Sequence, residues 1–364
     1  HFFTLIKRPQ KTTIIYNQDL GSSSSGEKSR FINQLLYEIK PLTNCGIEIR
    51  EFTSTELFKL EKQKVNSIFK LKDQYIIDRL LILCKKGLSP SSINLYNYCK
   101  KQFYFEKILE VFSNKNIDTD IDQAMMGSII HWVLQKLYEP YLGIPLDLNI
   151  MKSIRGSISD TISNALNYYN ILNIDQGKNI LSIEATKRII FNFIQHETTL
   201  IKDGNQIIVK YLEYEASYYY KKVPIKNSKL YASINLKGHI DRIDLYNNTY
   251  RIIDYKTGLI QDSDLKAKDL QNIQEKPKIL QLLLYSWLIK KTQHNISLPV
   301  LAGVINLRAK SFNFQPCIIN KQPVIDNIIL TEFEKQLQNM LLEMFNPNQN
   351  FEHLDRDEKC RFCD

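Results

Sequence analysis

The sequence feature that most constrains the fold is a strand–turn–strand pattern in residues 238–258, which read GHIDRIDLYNNTYRIIDYKTG. Two runs rich in β-branched and aromatic residues flank Asn247 and Asn248, and asparagine tolerates the positive φ values that a tight hairpin turn requires. If these two residues form the loop, Tyr246 faces Thr249 across the hairpin. The register of every residue further out is then fixed, because side chains alternate between the two faces of a strand.

This register makes charged residues face each other. Asp244 lies opposite Arg251, a favourable cross-strand pair that supports the register. Asp241 lies directly opposite Asp254, so that two carboxylates meet. We expect the face that carries them to be half-buried, because by period-two alternation it also carries His239 opposite Lys256, with Ile243, Leu245 and Ile252.

Two carboxylates opposed on an apolar surface indicate a bound cation, because like charges there destabilise the sheet or raise a pKa unless a positive charge lies between them. Mg²⁺ prefers oxygen ligands and often takes only one or two protein carboxylates. Lys256 adds an ammonium group that can orient or deprotonate an attacking water and stabilise charge on a phosphate. Asp241, Asp254 and Lys256 are therefore candidate catalytic residues for phosphodiester hydrolysis. For an isolated D-x-K sequence, a hairpin with partly exposed surface charges is the commoner explanation.

Further along the chain, other motifs give this hairpin a family context. GHIDRID followed by RIIDYKTG resembles the active-site hairpin of the PD-(D/E)XK nuclease superfamily, in the branch that contains the RecB and AddB recombination nucleases. The helix MGSIIHWVLQKLYE matches the helix that contributes a metal-binding histidine, here His131. Glu213 or Glu215, on the preceding strand, matches an acidic position of the site. QLLLYSWL matches the Q-x-x-x-Y helix of the family, with Gln281 and Tyr285 one helical turn apart. The common order of these motifs carries the resemblance, since each alone is unspecific.

The resemblance implies an α/β fold with a restriction-endonuclease-like core, a mixed central β-sheet flanked by helices, and helical additions on the N-terminal side. Strand patterns bracketed by helical patterns favour the same class. We expect a nuclease domain over residues 87–364, with a helical insertion around residues 140–205. Residues 1–86, which include GEKSRFINQLLYEI, are expected to form the end of a helicase-like region and a connecting segment. The chain begins with His1, which indicates a fragment of a longer protein.

The resemblance also implies a function, that of a Mg²⁺-dependent deoxyribonuclease, with exonuclease action as the expected mode. Mg²⁺ or Mn²⁺ would be held by His131, Asp241, Asp254, the backbone carbonyl of Tyr255 and one of the two glutamates. Lys256 would act on the attacking water, and Gln281 and Tyr285 would position the DNA strand. The implied setting is the nuclease module of a helicase-nuclease for double-strand-break repair and recombination, with a partner subunit. Two alternatives stay open: a cleavage-dead DNA-binding scaffold of the same fold, and a CRISPR-adaptation-type nuclease.

The cysteines suggest a second cofactor. Cys99 and the C-x-x-C pair Cys360 and Cys363 match three positions of the four-cysteine iron–sulfur cluster found in some AddB-type nucleases. The chain ends at Asp364, before a fourth cysteine, so a 4Fe-4S cluster is expected in the full-length protein rather than in this fragment. Zinc at these cysteines is the weaker alternative. We expect the other cysteines to be small buried hydrophobic residues: Cys45, Cys84 and Cys317.

A candidate DNA-binding helix begins with Ser89 as its cap and Pro90 at its first position. Lys100, Lys101 and Tyr104 follow in a stretch where lysines alternate with aromatic residues, a combination that can bind a phosphate backbone and stack on bases. The alternative is an amphipathic helix with solvated lysines. The formal net charge of +9 permits a nucleic-acid partner without requiring one.

Hydrophobic periodicity predicts helices over residues 123–139 and around residues 150–170, 180–200 and 278–291. Thr331 and Glu334 form a capping-box pattern that predicts a last helix through about Phe345. GSSSSGEKS differs from a phosphate-binding loop by the inserted Glu27, so we expect a flexible connection there. No apolar run approaches the ~20 residues of a membrane span, no signal peptide opens the chain, and six scattered cysteines are typical of a reducing compartment. We therefore expect a cytoplasmic protein without membrane contact.

Overall fold

The computed structural model describes residues 30–39, 72–111, 121–171, 177–224, 231–309 and 311–351, together with Thr12 and Ile14. The chain divides into two compact units, His1–Ile68 and Phe69–Asp364. In the first unit, helix α1 spans Arg30–Gln34 and continues as a π-helical segment over Leu35–Ile39. The predicted loop at GSSSSGEKS lies outside the described residues, as does most of the predicted helicase-like region.

A six-stranded mixed sheet forms the centre of the second unit. The described strands of this unit, two of which lie outside the six-stranded sheet, are β1 (Ile207–Pro224), β2 (Tyr231–Tyr246), β3 (Thr249–Lys256), β4 (Lys266–Ala267), β5 (Val300–Asn306), β6 (Phe314–Pro316), β7 (Ile318–Ile319) and β8 (Val324–Ile325). In the sheet the order is β1-β2-β3-β5-β6, and β8 also pairs with β5. The β3–β5 ladder is parallel and the other ladders of this sheet are antiparallel. β4 and β7 form a separate two-stranded ladder.

Helices cover both faces of this sheet. They are α2 (Gln74–Lys86), α3 (Pro90–Tyr98), α4 (Lys100–Phe103), α5 (Gln123–Tyr138), α6 (Leu148–Gly156), α7 (Ile158–Tyr168), α8 (Gly177–Lys202), α9 (Pro277–Thr292) and α10 (Asn327–Met344). A π-helical segment spans Tyr104–Ile108, and 3₁₀ turns span Glu139–Tyr141, Asp262–Leu265 and Ile273–Glu275.

Two apolar clusters hold the layers together. On one face, Ile243 and Ile252 of the sheet pack in a cluster with residues of α2, α3, α9 and α10. On the other face, Ile253 and Tyr255 pack in a cluster with residues of α5, α6, α7 and α8. Because successive strand residues point to opposite faces, Ile252 and Ile253 contribute to different clusters. The layered arrangement confirms the predicted α/β class with a restriction-endonuclease-like core.

The boundary of the second unit differs from the sequence-based one. Ile77 and Leu80 of α2 are buried in the same cluster as the sheet, and the compact unit begins at Phe69. Helix α2 is thus part of this unit, although it lies within residues 1–86, which were predicted to form the end of a helicase-like region and a connecting segment. Helices α6, α7 and α8 fall in the region around residues 140–205 that was predicted as a helical insertion.

The β2–β3 hairpin has the predicted register. Asn247 and Asn248 form the turn with φ values of 45° and 65°, and Tyr246 pairs with Thr249. The face that carries the two aspartates is partly buried, as expected. Asp241 and Asp254 are 6% and 3% exposed, whereas the side chains of His239 and Lys256 on the same face are 51% and 31% exposed.

The cap of the last helix also differs from the prediction. Thr331 lies inside α10, where its hydroxyl donates to the Asn327 carbonyl, so the proposed capping box was wrong. The helix begins earlier because Asp326 caps it, accepting a hydrogen bond from the Ile329 N–H at 2.9 Å. By contrast, Ser89 caps α3 as expected, with its hydroxyl accepting from the Ser92 N–H at 3.3 Å.

Among the helices that the structure describes, none combines the length and apolar character needed to cross a bilayer.

Candidate metal centre and active site

Helix α5 brings His131 to two carboxylates of the sheet. The Nδ1 atom of His131 lies 3.4 Å from Asp241 Oδ1 on β2 and 3.6 Å from Glu213 Oε1 on β1. The candidate ligand atoms of these three residues lie within 4.8 Å of one another. Gly127, one turn before His131, lets α5 approach the chain after β3, because a Cβ atom there would lie 3.2 Å from Thr257 Oγ1.

Glu213 rather than Glu215 is the glutamate of this cluster. Glu213 has a φ of 45°, a left-handed conformation that is uncommon for a non-glycine residue inside a strand. Such strained backbone persists where surrounding structure holds it and is frequent at functional sites. The Glu213 carboxylate also contacts His239, with 3.1 Å between Oε2 and Nδ1. Glu215 is exposed at the edge of the same cleft.

The two aspartates do not meet as a ladder pair. The β2–β3 ladder runs from Tyr246–Thr249 to Arg242–Ile253, so the predicted pairs Asp241–Asp254 and His239–Lys256 lie beyond its end. Past this point Asp241 Oδ2 accepts a hydrogen bond from the Tyr255 N–H at 2.6 Å. A side-chain oxygen thus binds the β3 backbone where the hairpin ladder has stopped. The expected metal contact of the Tyr255 carbonyl stays a prediction.

Asp254 is held by the other predicted residues. Its Oδ2 atom lies 2.7 Å from Lys256 Nζ, and its Oδ1 atom accepts a hydrogen bond from Gln281 Nε2 at 2.8 Å. Gln281 Nε2 also lies 2.7 Å from the Tyr285 hydroxyl oxygen. Gly238 on β2 makes room for α9, the helix that carries Gln281 and Tyr285, because a Cβ atom at position 238 would lie 2.9 Å from Tyr285 Cδ1.

The electrostatics of the site favour a bound cation. Burial and the charge of Asp241 raise the pKa of Asp254 to about 6, although Lys256 and His131 act in the opposite direction. Burial alone would lower the pKa of His131, but the Asp241 and Glu213 carboxylates raise it to about 10. His131 therefore carries a proton at neutral pH in the metal-free protein. A divalent cation bound to the same carboxylates would replace that proton as the source of positive charge.

The donor set fits a divalent cation. Glu213 and Asp241 offer carboxylate oxygens, His131 offers an imidazole nitrogen, and such mixed sites suit small divalent ions. Asp254 Oδ2 is buried and has no hydrogen bond among the described residues, its ion pair with Lys256 apart. Lys256 supplies one positive charge beside this oxygen, and the remaining acceptor capacity makes Asp254 a candidate further ligand. Asp254 is not one of the three residues whose candidate ligand atoms lie within 4.8 Å of one another.

A buried charge network behind the site was not anticipated from the sequence. Arg242, which is 0% exposed, contacts Glu197 of α8 at 3.0 Å and Asp244 at 2.8 Å. Arg251 pairs with Asp244 at 2.8 Å, so the predicted Asp244–Arg251 pair exists as part of this larger network. Arg242 also donates to the Tyr255 hydroxyl at 3.3 Å. Glu197 lies in no recognisable motif, and only the contact across α8 and the sheet reveals it.

The predicted DNA-binding residues lie in α4 and at the start of the π-helical segment after it, and two of them make contacts within the protein. Lys100 forms an ion pair with Glu343 of α10, and the ring of Tyr104 stacks on Phe351 with 5.3 Å between centroids. Lys101 is partly exposed. A DNA contact of Lys100, Lys101 and Tyr104 stays a prediction.

Of the three cysteines assigned to a cluster, the structure describes one. Cys99 is buried between α3 and α4, where its sulfur accepts a hydrogen bond from the Gln102 N–H at 3.4 Å. Cys360 and Cys363 lie outside the described residues, as does Cys45. Cys84 and Cys317 are buried, as predicted, and burial raises the pKa of each thiol to about 12.

The cluster opens into a cleft of about 720 Å³. His131, Glu213 and Lys256 line it together with Trp132 and Tyr169. A larger cleft of about 1080 Å³ lies between α8 and the α6–α7 pair. It contains none of the residues predicted to take part in chemistry, and its carboxylate Glu184 pairs with Lys187 at 2.8 Å.

Comparison with known proteins agrees with this geometry. A family model described as the PD-(D/E)XK nuclease superfamily matches residues 87–364, which include the hairpin, His131 and the helix with Gln281 and Tyr285. No curated protein matches the sequence.

Proposed function

The chain belongs to the PD-(D/E)XK nuclease superfamily, and from this premise we propose that it is a metal-dependent nuclease that hydrolyses phosphodiester bonds in DNA. The observation that supports this most strongly is the convergence of His131, Glu213 and Asp241 beside the Asp254–Lys256 ion pair. These residues come from a helix around residue 131 and from three strands that span residues 207–256. A site that gathers acids, an imidazole and a lysine in one cleft suits phosphoryl chemistry better than a purely structural role.

The acids and the imidazole form the ligand set in this proposal. His131, Glu213, Asp241 and Asp254 hold Mg²⁺ or Mn²⁺, and the Tyr255 carbonyl is a further candidate ligand. When bound, the cation supplies positive charge that stabilises the negative charge developing on the phosphate. The Tyr255 N–H fixes the orientation of Asp241 by its hydrogen bond to Oδ2.

Lys256 and α9 act on water and on the strand. The Lys256 ammonium group, 31% exposed, reaches the cleft and orients the attacking water while it offsets charge on the phosphate. Gln281 positions Asp254 through its hydrogen bond to Oδ1, and Gln281 with Tyr285 is assigned to hold the scissile strand near the carboxylates.

The biological setting proposed here rests on the sequence resemblance. The chain is assigned to the RecB/AddB-like branch, as an exonuclease module of a helicase-nuclease that acts in recombination and double-strand-break repair with a partner subunit. Mg²⁺ is the expected ion. An iron–sulfur cluster on Cys99, Cys360 and Cys363 with a fourth ligand belongs to the same assignment, and Cys99 is 2% exposed.

Titration of Mg²⁺ and Mn²⁺ against end-labelled single- and double-stranded DNA tests the proposal. The unmodified protein is expected to shorten the DNA only when a divalent ion is added, and the Lys256→Ala variant is expected to bind DNA but to cut it far more slowly. Binding without cleavage by the unmodified protein at every ion concentration would instead identify a DNA-binding scaffold of this fold.

A further inference from the structure

An aromatic pair lies beside the candidate metal centre and has no role in the function proposed above. Trp132, which follows His131 on α5, stacks on Tyr168 at the end of α7. Their ring centroids are 5.5 Å apart and their planes differ by 27°. Tyr169 contacts Tyr168 edge-to-face, with 5.1 Å between centroids.

The pair adjoins the cleft of the candidate metal centre, because Trp132 is one of the residues that line it. The Tyr169 hydroxyl donates to the Ser128 carbonyl of α5 at 3.3 Å, which fixes the end of α7 against α5. Trp132 and Tyr169 line the cleft that also contains His131 and Lys256. The aromatic surface is therefore continuous with the site of the proposed chemistry.

The outer ring of the pair is largely open. Tyr168 is 64% exposed, although it has the size and apolar character of a residue that packing alone would cover. A pair that only joined α5 to α7 would gain more from burying the outer ring, since aromatic side chains contribute mainly through the area they bury. An exposed ring with a partner stacked behind it is instead a rigid surface on which another flat ring can stack.

We propose that Trp132 and Tyr168 form a stacking platform for unpaired bases of a single-stranded nucleic acid whose backbone enters the cleft. Bases stack on aromatic side chains regardless of sequence, whereas paired bases inside a duplex do not present their faces. The polyanionic backbone then passes toward Lys256 and the carboxylate cluster. The platform rests on the proposed nuclease function for the identity of its ligand, but binding to it does not require metal or cleavage.

Binding of a fluorescein-labelled oligothymidine by the full chain in EDTA tests the platform. Tyr168→Ala is expected to weaken binding about tenfold, in the range that base–aromatic stacking contributes. Tyr168→Phe, which keeps the ring, is expected to bind within about twofold of the unmodified protein. Tyr219→Ala is the matched control, because Tyr219 is 56% exposed on β1 and is not part of the platform, so it is expected to leave binding unchanged. Equal unfolding temperatures of the variants exclude loss of folding.

The salt dependence of the same binding curves separates stacking from charge. Loss of a phosphate contact lowers the slope of log affinity against log salt by about 0.7 for single strands, whereas loss of stacking leaves it unchanged. Tyr168→Ala is expected to keep the slope. If Tyr168 acts only by holding a neighbouring cationic side chain in place, Tyr168→Ala would lower the slope of log affinity against log salt. That result would overturn the proposal.

Tryptophan fluorescence gives an independent readout. The chain has two tryptophans, and Trp287 is fully buried, so quenching by added DNA reports mainly on Trp132. Single-stranded DNA is expected to quench the emission, and blunt duplex of equal length is not. If Tyr168→Ala binds with unchanged affinity and single-stranded DNA does not quench the emission, the platform proposal is overturned, even if the protein cleaves DNA. If the protein does not cleave DNA but the quenching and the effect of Tyr168→Ala are both observed, only the nuclease proposal is overturned.

Discussion

The Nζ atom of Lys256 lies 2.7 Å from the Oδ2 atom of Asp254, a carboxylate that is 3% exposed. The lysine is thus the nearest positive charge to a buried acid whose pKa is raised to about 6. In the metal-free protein the two residues neutralise each other in part, and the remaining negative charge of Asp241 and Glu213 is offset by a proton on His131. The site is prepared for a cation by this arrangement of charge.

Substitution of Lys256 tests its assigned role on the attacking water. Lys256→Ala is expected to lower the rate of cleavage by about 10²–10³-fold, the loss typical for one electrostatic contact in a transition state. DNA affinity in EDTA is expected to change by less than about threefold, because a single phosphate contact contributes little to it. Lys291→Ala, which removes a lysine paired with Glu334 at 3.2 Å, is the matched control and is expected to cleave normally. Normal cleavage by Lys256→Ala refutes the role.

Asp254 is expected to lower the stability of the metal-free protein. Its pKa in the folded protein is about 6, above the ordinary value of about 3.9, so the folded state disfavours the ionised form. Above pH 6 the ionised carboxylate therefore reduces the free energy of unfolding, and below about pH 4 the effect vanishes. Asp254→Asn is expected to raise the free energy of unfolding in EDTA at pH 8 by about 2 kcal/mol while abolishing cleavage.

Chemical denaturation at pH 8 and pH 4 measures this effect. Asp262→Asn serves as the control, because Asp262 has a side-chain exposure of 85% and its substitution is expected to leave stability unchanged. A variant Asp254→Asn that is less stable than the unmodified protein at pH 8 contradicts the argument.

Metal binding is expected to release protons. A cation needs both Asp254 and His131 deprotonated, and their pKa values in the metal-free protein are about 6 and about 10. Mn²⁺ affinity should therefore rise with pH, by about two powers of ten per unit below pH 6 and about one between pH 6 and pH 10. Calorimetry at pH 8 in two buffers of different ionisation enthalpy measures the proton count. Release of about one proton supports the site, and release of none is inconsistent with it.

Gln281 is expected to set the low-pH limit of cleavage. Its Nε2 atom donates to Asp254 Oδ1, and loss of a hydrogen bond to an ionised group raises the pKa of that group. In Gln281→Leu, the acidic limb of the pH–rate profile should therefore lie at a pH about one unit higher than in the unmodified protein. Tyr285→Phe keeps the contact between Gln281 and Asp254 and is expected to leave the limb in place. Identical profiles for Gln281→Leu and the unmodified protein would rule out this contact as a determinant.

The buried Arg242 network is expected to be necessary for folding. Arg242→Met leaves Glu197 and Asp244 without their shared partner in a region of very low exposure, and breaking such a buried pair costs about 3–5 kcal/mol. Lys136→Met removes an exposed lysine paired with Glu139 at 2.8 Å and is expected to change stability by less than about 1 kcal/mol. Urea unfolding of both variants gives the comparison. A loss below about 1 kcal/mol for Arg242→Met would show that the network is dispensable.

Turn preferences and side-chain alternation were sufficient to predict the parts of the fold that depend on residues close together in sequence. Asn247 and Asn248 gave the hairpin register because few residues other than asparagine and glycine accept their φ values. The end of the hairpin ladder was not predictable, because it depends on the Asp241 side chain binding the backbone of Tyr255. The start of α10 was missed because Asp326 and Thr331 are both acceptable caps, and only the packed helix selects between them.

For the site, the sequence order of motifs identified residues that the fold brings together from distant segments. The choice between Glu213 and Glu215 could not be made from the sequence, because both lie on the same face of a regular strand and only the folded chain places Glu213 beside His131. Glu197 and Arg242 were missed for a different reason. Their pairing depends on where α8 crosses the sheet, which no local pattern encodes.

The proposed nuclease function requires that the carboxylates of β1, β2 and β3 share a divalent cation with His131. An anomalous difference map from a crystal soaked in Mn²⁺ would locate this cation. We expect one strong peak about 2.0–2.6 Å from oxygen atoms of Asp241 and Asp254 and in contact with His131. A map without a peak at these side chains, from crystals of a protein that cleaves DNA in the same Mn²⁺ solution, would contradict it.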